Sequence, residues 1–521
     1  MMGAWAAIDL ADVNLAAALP ALSLAFGACL LLVVDLLLPA ARKHWTAGLA
    51  LAGLAVSFGL TLWQGRVVEE LAFFSLYRAD GFGALLNLVI LGAAALIILM
   101  SVDYLQRTGI AAGEYYVLLL FSVSGMLFLT AANDITVLFV GIVLLSIPLP
   151  ILAAFRWPQD AKSQESGVKY LILSAFSTAF LVFGLVFLYG GTGETNLAAI
   201  YAQVNERMAA EDGSSLFYVA LGTALTLVGL GFKVTIVPFH MYAPDVYEGA
   251  PTPVTAFLSV VVKVGAFAAL LRILREAVPH LVLGGGSGAA SWQLALWLLA
   301  AATLILGNTV AIAQRNIKRM LAYSSIAHAG YILMAVAALG GVGVVLRGGD
   351  RVLLSDAAMQ AALVYLAAYA FSTLGAFAIV MAVERADGGG LELADYAGLA
   401  RSRPLHAALM AVFMLSLTGI PLTSGFLGKW LVFQVTIEAG LWPLAIIGVL
   451  TSVVSAYFYV RVIVQMYLRE APETGESEAT PGATALLDGA AYVGLAGTLI
   501  VGILPTTLTG LLPPLATLAG L

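Results

Sequence analysis

Three lysines stand alone within long apolar stretches of the sequence: Lys233 in LVGLGFKVTIVPF, Lys263 in FLSVVVKVGAF and Lys429 in TSGFLGKWLVF. A lysine at the centre of a membrane helix costs about 2.5–3.5 kcal/mol, so it usually faces protein or water and marks an ion pathway. Deep burial lowers the pKa of an amine from about 10.4 to as little as about 5–6, where it exchanges protons near neutral pH. The three lysines are therefore candidates for proton transfer, and the alternative for Lys263 is a structural side chain that pairs or snorkels.

Two of these lysines stand beside residues that interrupt a helix. Pro238 follows Lys233 by five residues, and a proline lacks the N–H of a helical residue and clashes with the preceding turn. Lys429 is preceded by the helix-weakening residues Gly419, Pro421, Gly425 and Gly428. Two broken helices, about 195 residues apart, indicate two structural repeats around a translocation site, because backbone freed at membrane depth is tolerated only beside protein or water.

Other polar residues in or near the apolar stretches are weaker candidates. His328 can relay protons near neutral pH, and its alternative is a structural histidine. His240 is expected at the loop end of a pathway, and His406 at an interface. Packing is expected of Tyr365 and Tyr369, and capping or loop structure of Asp245 and Glu248.

The elements that must position these residues follow from composition. Of 521 residues, 61% are hydrophobic and 10% are charged, whereas a soluble domain carries about 25% charged residues. A spanning helix needs about 20 mainly apolar residues, and the runs lack the period-two alternation of a membrane barrel. The sequence therefore predicts an all-α integral membrane protein of about fourteen spans: 20–39, 46–63, 81–102, 116–132, 135–155, 168–190, 216–238, 253–275, 292–313, 321–345, 358–383, 405–435, 442–468 and 485–508.

Charge and cysteine usage narrow the function classes. The single cysteine, Cys29, excludes an internal disulfide and an iron–sulfur cluster held by this chain. No cleaved signal peptide is expected, because residues 1–20 lack lysine and arginine. The gaps between consecutive predicted spans can be numbered along the chain. The odd-numbered gaps and the span ends beside them hold 14 basic residues, and the even-numbered ones hold 7. Because basic loops face the cytoplasm, this distribution predicts that both termini lie on the outer side of the membrane.

Several motifs resemble subunit N of bacterial NADH-quinone oxidoreductase, respiratory complex I. They are PFHMYAPDVYEGAPTPVTAFL (238–258), GEYYVLLLFSVSGMLFLTAAND (113–134), QRNIKRMLAYSSIAHAGYIL (314–333), YAFSTLGAFAIV (369–380) and LSLTGIPLTSGFLGKWLVF (415–433). The resemblance implies three N-terminal helices in 1–115, two inverted five-helix repeats in 116–275 and 292–468, and a C-terminal helix in 485–521. Each repeat would contain one discontinuous helix.

The resemblance also implies a place in the membrane arm of the complex, in the bacterial inner membrane, beside other membrane-arm subunits and lipid rather than nucleic acid. NADH, FMN, iron–sulfur clusters and quinone would bind other subunits, so no cofactor is expected here. Lys233 and Lys429 match the family's two broken-helix lysines, and Lys263 matches the lysine that connects them. Proton transfer through the three would be driven by quinone reduction elsewhere.

One position departs from the family pattern. Val143, in GIVLLSIP, occupies the place of a glutamate that pairs with the first broken-helix lysine. Glu165 is the candidate substitute, and the charge switch of the first half would otherwise be weakened or rerouted. Two alternatives stay open: an Mrp-type cation/proton antiporter subunit, and a structural subunit of the same complex that does not pump.

Overall fold

A computed structural model describes residues 13–39, 45–65, 69–110, 113–157, 159–278, 289–341, 343–347, 350–385, 387–470 and 485–510. Within these ranges, twelve helical segments are long and apolar enough to cross a membrane. Glu114–Thr130 and Pro404–Thr418 are shorter apolar helices that coincide with two further predicted runs. The predicted all-α membrane architecture is confirmed at this level. The expectation about a signal peptide and the end of the C-terminal segment fall partly on residues 1–12 and 511–521, outside the described ranges.

The first half of the chain runs from α1 to α12. The helices are α1 (Leu15–Leu37), α2 (Trp45–Gln64), α3 (Gly81–Arg107), α4 (Glu114–Thr130), α5 (Ile135–Ser146), α6 (Pro148–Ala153), α7 (Ala161–Thr192), α8 (Leu197–Ala209), α9 (Gly213–Lys233), α10 (Ala243–Gly249), α11 (Thr252–Ser259) and α12 (Val261–Arg272). A π-helical turn, Ile273–Ala277, continues α12. Strands β1 (Glu70–Ala72) and β2 (Tyr77–Ala79) form an antiparallel hairpin in which Glu70 pairs with Ala79.

The second half runs from α13 to α21. The helices are α13 (Ala289–Ala313), α14 (Ile317–Ala338), α15 (Leu354–Val383), α16 (Leu399–Ser402), α17 (Pro404–Thr418), α18 (Ser424–Glu438), α19 (Trp442–Leu468), α20 (Ala485–Ile503) and α21 (Thr506–Thr509), with a 3-10 turn at Leu393–Tyr396. Strands β3 (Val344–Arg347) and β4 (Asp350–Leu353) form a second antiparallel hairpin, in which Val344 pairs with Leu353. Helix α14 ends at Ala338, so the last two residues of the predicted span 321–345 lie in strand β3 instead of in the helix.

The core of the molecule is formed by α11, α12, α14 and α15. Every residue of the most apolar window of Thr252–Ala277 is buried, as are 94% of that of Ile317–Ala338 and 89% of that of Leu354–Val383. The other spans are 33–61% buried over the same length. Lys263 and His328 lie on these central helices, so other parts of the chain surround them.

Both helix breaks beside the lysines are present. Helix α9 ends at Lys233 and α10 begins at Ala243, with Pro238 between them, as predicted. Helix α17 ends at Thr418 and α18 begins at Ser424; Gly419 has a φ of 94°, a conformation that favours glycine.

Two local expectations are wrong. Gly425 and Gly428 lie inside α18 and do not interrupt it. A Cβ atom at Gly425 would stand 1.9 Å from the carbonyl oxygen of Ser416, so this glycine permits close packing of α18 on α17. The span 253–275 around Lys263, predicted as one helix, is divided at Val260, which joins α11 to α12 with φ −111° and ψ −67°. Neither proline nor glycine marks that site in the sequence.

Candidate functional site

Lys263 is held at the centre of the molecule by α14. Its side chain has no exposed surface, and its Nζ donates to the carbonyl oxygen and the Oγ of Ser325, both at 2.5 Å. The same Nζ lies 5.7 Å from the ring centroid of Tyr369 on α15. Within the part of the chain that the structure describes, the ammonium thus has neutral acceptors and an aromatic face but no counter-anion.

A hydrogen-bonded row of side chains begins at the residue next to Ser325. The Oγ of Ser324 is bonded to the hydroxyl of Tyr459, on α19. That hydroxyl lies 3.1 Å from Nε2 of His328, whose Nδ1 lies 2.7 Å from the hydroxyl of Tyr365. All four side chains are buried. The predicted relay residue His328 therefore contacts a partner through each ring nitrogen, as a proton relay requires.

Lys429 is bound at the second helix break. Its Nζ donates to the carbonyl oxygen of Thr418 at 2.7 Å and to the Oγ of Ser452 at 2.9 Å, and lies 4.8 Å from the ring centroid of Tyr331. Thr418 is the last residue of α17, so its carbonyl is freed by the break at Gly419. The negative end of the α17 dipole therefore faces the ammonium.

Lys233 occupies a comparable position at the first break. It is the last residue of α9, so its own helix presents carbonyl groups at that end. Its Nζ donates to the Oγ of Ser174 on α7 at 2.8 Å and lies 5.6 Å from the ring centroid of Tyr170 and 5.5 Å from that of Phe232. The surroundings of this lysine are otherwise aromatic.

Comparison with known proteins identifies the family of this chain. The family described as NADH:quinone oxidoreductase/Mrp antiporter, TM, matches residues 132–455. NADH-quinone oxidoreductase subunit N 2 of Roseiflexus castenholzii is 43% identical over 455 residues, which cover 86% of each chain. The chain belongs to the NADH-quinone oxidoreductase subunit N family. The resemblance carried by the sequence motifs is confirmed.

Chains of solved membrane complexes share the fold. A chain of respiratory complex I from Thermus thermophilus is 31% identical, has a TM-score of 0.75, and covers 94% of this chain and 98% of its own. A chain of the Mrp complex from Dietzia sp. superposes with a TM-score of 0.78 over 95% of this chain and 96% of its own, at 21% identity. That second likeness concerns the fold alone.

Within the described ranges, no nearby carboxylate replaces the glutamate that the subunit N pattern has at the position of Val143. Among the described residues, no carboxylate lies within salt-bridge distance of Lys233. Glu165 instead binds Lys169 at 2.5 Å, and its side chain is 60% exposed. Ser174, which does contact Lys233, is nine residues further along α7, or about 13 Å. The expectation that Glu165 partners Lys233 is therefore wrong. Lys263 and Lys429 are bound without carboxylates as well, so Lys233 is not exceptional.

Asp245 and Glu248 form a clasp across three helices instead of capping a loop. We call the group of Lys162, Lys169, Asp245, Glu248 and Arg319 the α10 clasp. Asp245 binds Lys169 at 2.5 Å and Arg319 at 2.7 Å, and Glu248 binds Lys162 at 2.8 Å and Arg319 at 3.1 Å. Burial alone would raise the pKa of Asp245, but these hydrogen bonds hold it below its ordinary value. The clasp ties α10, just beyond the first break, to α7 and α14.

The remaining candidates have less to offer. His240 lies half-buried between α9 and α10, and its Nδ1 has no hydrogen-bond partner among the described residues. His406 joins α17 to α20 through Asp488, at 2.9 Å. Packing was expected of Tyr365 and Tyr369 in preference to hydrogen bonding, but Tyr365 binds His328 and Tyr369 lies 2.8 Å from the Oγ of Ser259.

Sequence reasoning missed the partners that complete the site. Tyr459, Ser324, Ser325 and Ser174 are common residue types in apolar spans, so nothing in the sequence sets them apart. One available signal was the pair of hydroxyls in SSIAH, which stands one helical turn before His328 and so shares part of its face.

Proposed function

We propose that this chain is a proton-translocating membrane-arm subunit of a bacterial NADH-quinone oxidoreductase, and that its path uses Lys263, His328 and Lys429. The single observation that carries the proposal is the buried row from Ser324 through Tyr459 to His328 and Tyr365, in a chain of the subunit N family. NADH oxidation, with its flavin and iron–sulfur clusters, and quinone reduction belong to other subunits, which are also the partners of this chain.

The architecture in this proposal is fourteen spans in two inverted five-helix repeats, 116–275 and 292–468, flanked by 1–115 and 485–521. The two interrupted helices, each with a lysine at the break, support the two repeats. The shorter helices Glu114–Thr130 and Pro404–Thr418 would supply the two spans beyond the twelve. We place the chain in the inner membrane with both termini outside, on the 14 to 7 distribution of basic residues.

A proton moves through this row by a change of donor at each group. The Lys263 ammonium releases a proton toward the Ser325 hydroxyl, a water bridges Ser325 to Ser324, and Tyr459 delivers a proton to Nε2 of His328. The imidazole then releases its other proton from Nδ1 toward Tyr365, which returns it to the neutral form. No charge remains on the ring after a complete transfer.

The last step reaches Lys429 past a small cavity. This cavity, about 10 Å³ in volume, is lined by His328, Tyr365 and Gly428, the residue before Lys429, among others, and has room for about one water molecule. Tyr331 packs beside this route. Its ring stacks on that of Tyr365, with 6.2 Å between the centroids, and its centroid lies 4.8 Å from Nζ of Lys429. Phe433 contacts the Tyr331 ring edge-to-face at 6.1 Å. Lys429 then gains an N–H bond and is held as an ammonium by the Thr418 carbonyl.

The first half has a less continuous row of polar groups. Lys233 contacts one hydroxyl, Ser174, and its Nζ lies over the rings of Tyr170 and Phe232. The ring of Tyr242 stacks on that of Phe232. Tyr247 lies among the buried residues of α10, and its hydroxyl has no hydrogen-bond partner among the described residues. We therefore place the main carrier path in the second half, with Lys233 as a secondary site.

The test is proton uptake per electron in sealed membrane vesicles that contain the assembled complex. Lys263→Ala and His328→Ala are expected to lower the ratio of proton uptake to NADH oxidation by the share of this subunit. Thr436→Val is the matched control, because it removes a buried hydroxyl that donates to the carbonyl oxygen of Val432 in its own helix, α18. An unchanged ratio in both variants would favour the non-pumping structural alternative. The Mrp alternative would require cation-dependent proton flux without NADH.

A further inference from the structure

Buried carboxylates are few, and one of them differs from the others. Five aspartates and glutamates among the described residues are buried, namely Asp35, Asp80, Asp134, Asp356 and Glu384. Asp80 and Asp356 pair with arginines at 2.7 and 2.5 Å. Asp134 caps α5, and Asp35 accepts from a threonine hydroxyl. Each of these four has an evident structural partner close by.

Glu384 is held mainly by hydroxyl groups. Its Oε1 accepts from the hydroxyl of Tyr104 at 3.0 Å and its Oε2 from the Oγ1 of Thr252 at 2.5 Å. The guanidinium of Arg156 stands 3.9 Å away, beyond hydrogen-bond distance. Although the residue lies just past the end of α15, only 2% of its surface is exposed. A carboxylate bound by hydroxyls can pass a proton to them.

A charged vestibule reaches this carboxylate. A cavity of about 320 Å³, large enough for several water molecules, is lined by Arg156, Lys162, Lys318, Glu248, Glu384 and Glu392, among others. It lies at the end of the molecule where α7 and α14 begin, next to the α10 clasp. Water in the vestibule can therefore contact Glu384, whose other side faces the protein interior.

A stripe of polar side chains leads inward from Glu384. Thr252, Thr255 and Ser259 follow one another at spacings of three and four residues, so they share one face of α11. Lys263 stands four residues further, in the first turn of α12 just beyond Val260. None of the four has exposed surface. The stripe begins at the Thr252–Glu384 hydrogen bond and ends at Lys263, about 16 Å along the helix axis.

The middle of the stripe is hydrogen-bonded to residues at the candidate site. Thr255 donates to the carbonyl oxygen of Tyr247 at 2.8 Å, and Ser259 lies 2.8 Å from the hydroxyl of Tyr369. The ring of Tyr369 in turn faces the Lys263 ammonium. Each of the three hydroxyls is hydrogen-bonded, so the stripe places three exchangeable protons in line within a buried helix at little cost.

We propose that Glu384 is a proton acceptor, and that the Thr252–Thr255–Ser259 stripe carries protons from the vestibule to Lys263. The inference rests on the proposed function, because it names where protons enter that path. A vestibule hydronium gives its proton to a carboxylate oxygen of Glu384. The proton then passes along the hydroxyls, with a water bridging positions about 5–6 Å apart, and an N–H bond forms on the neutral Lys263 amine. Glu384 is left as a carboxylate.

The experiment compares variants of the intact complex in sealed vesicles. Glu384→Gln keeps the volume and the acceptor oxygen but cannot take up a proton as a carboxylate does, so it is expected to lower proton uptake per NADH as much as Lys263→Ala. Glu384→Asp is expected to restore part of the ratio. Asp356→Asn, which removes a buried ion-paired carboxylate on the same helix, is the matched control and is expected to retain the full ratio.

Each outcome decides something. A full ratio in Glu384→Gln together with a loss in Lys263→Ala would overturn this inference and leave the proposed function standing. A full ratio in both would overturn the proposed function. If Glu384→Gln prevents assembly, the double variant Thr252→Val, Ser259→Ala takes its place, with Thr436→Val as control. A reduced ratio in that double variant supports the stripe, and a full ratio refutes it.

Discussion

Replacement of Lys429 by alanine tests the second helix break most directly. The substitution removes the only amine at the Thr418 carbonyl, but Ser452 still donates to that carbonyl at 3.4 Å. The helix end therefore keeps a hydrogen-bond donor, and the complex should assemble. The variant then asks whether this position must accept a proton, rather than whether the break must be filled.

The expected loss can be worked from the cost of a charge at this depth. Without the amine, a transferred proton must sit on water in a site that is 4% exposed, and a charge at the membrane centre costs about 2.5–3.5 kcal/mol. At about 1.36 kcal/mol for each factor of ten, transfer through this site slows about 70- to 400-fold.

The assay is quinone-linked NADH oxidation measured together with proton uptake in sealed vesicles. Lys429→Arg is the informative companion, because a guanidinium keeps the charge but does not release its proton. Both variants are expected to lose the proton uptake that this subunit supports, while Thr436→Val in the same helix keeps it. Wild-type uptake per electron in Lys429→Ala, with normal assembly, would refute the role of this lysine.

Three further predictions follow from particular contacts. Lys233→Ala should lower coupled turnover less than Lys429→Ala does, because Lys233 contacts one hydroxyl and two aromatic rings; equal losses in the same assay would contradict this ranking. Gly425→Ala should reduce the amount of assembled complex, because its Cβ would meet the Ser416 carbonyl at 1.9 Å; Gly92→Ala, with nothing within 4 Å, is the control, and similar yields for both on native gels would count against this packing. The depressed pKa of Asp245 means that the α10 clasp is intact above the ordinary pKa of aspartate, about 3.9, and opens as pH falls through the lower folded value. Thermal unfolding midpoints should thus show no contribution of Asp245 to pH dependence between pH 5 and 8, and a difference between wild type and Asp245→Asn that changes across this range would show the reasoning to be wrong.

The sequence predicted the helix breaks where backbone chemistry imposes them. Pro238 cannot continue a helix, and Gly419 adopts a φ of 94° that side chains rarely accept. The interruption at Val260 was missed, since it depends on how α11 and α12 pack in the core and not on a local breaker. The glycines of α18 were misread for the same reason: their role is contact with Ser416 and Tyr365, which lie elsewhere in the chain.

The residues of the candidate site also fall into those that the sequence predicted and those that depend on tertiary packing. A lone lysine in an apolar run stands out in any sequence, and Lys233, Lys263 and Lys429 were found that way. Tyr459 could not be found, because its value comes from the packing of α19 beside α14, which brings it to His328 across 131 positions. Glu384 lies one residue past the predicted span 358–383, so there was no reason in the sequence to expect it in the interior, where Tyr104, 280 positions earlier, binds it.

The distribution of charge constrains how this subunit can be driven. In the described part of the chain, the buried carboxylates stand at helix ends, whereas the three lysines are bound by hydroxyls, carbonyls and rings. An ammonium held only by neutral groups lacks the strong stabilisation of an ion pair, so small changes in the local potential decide whether it keeps its proton. No carboxylate among the described residues adjoins these lysines. The electrostatic potential that makes their amines release and take up protons must therefore come from charges other than these carboxylates. A neighbouring membrane-arm subunit that changes its charge state with quinone reduction would supply that potential across the shared face.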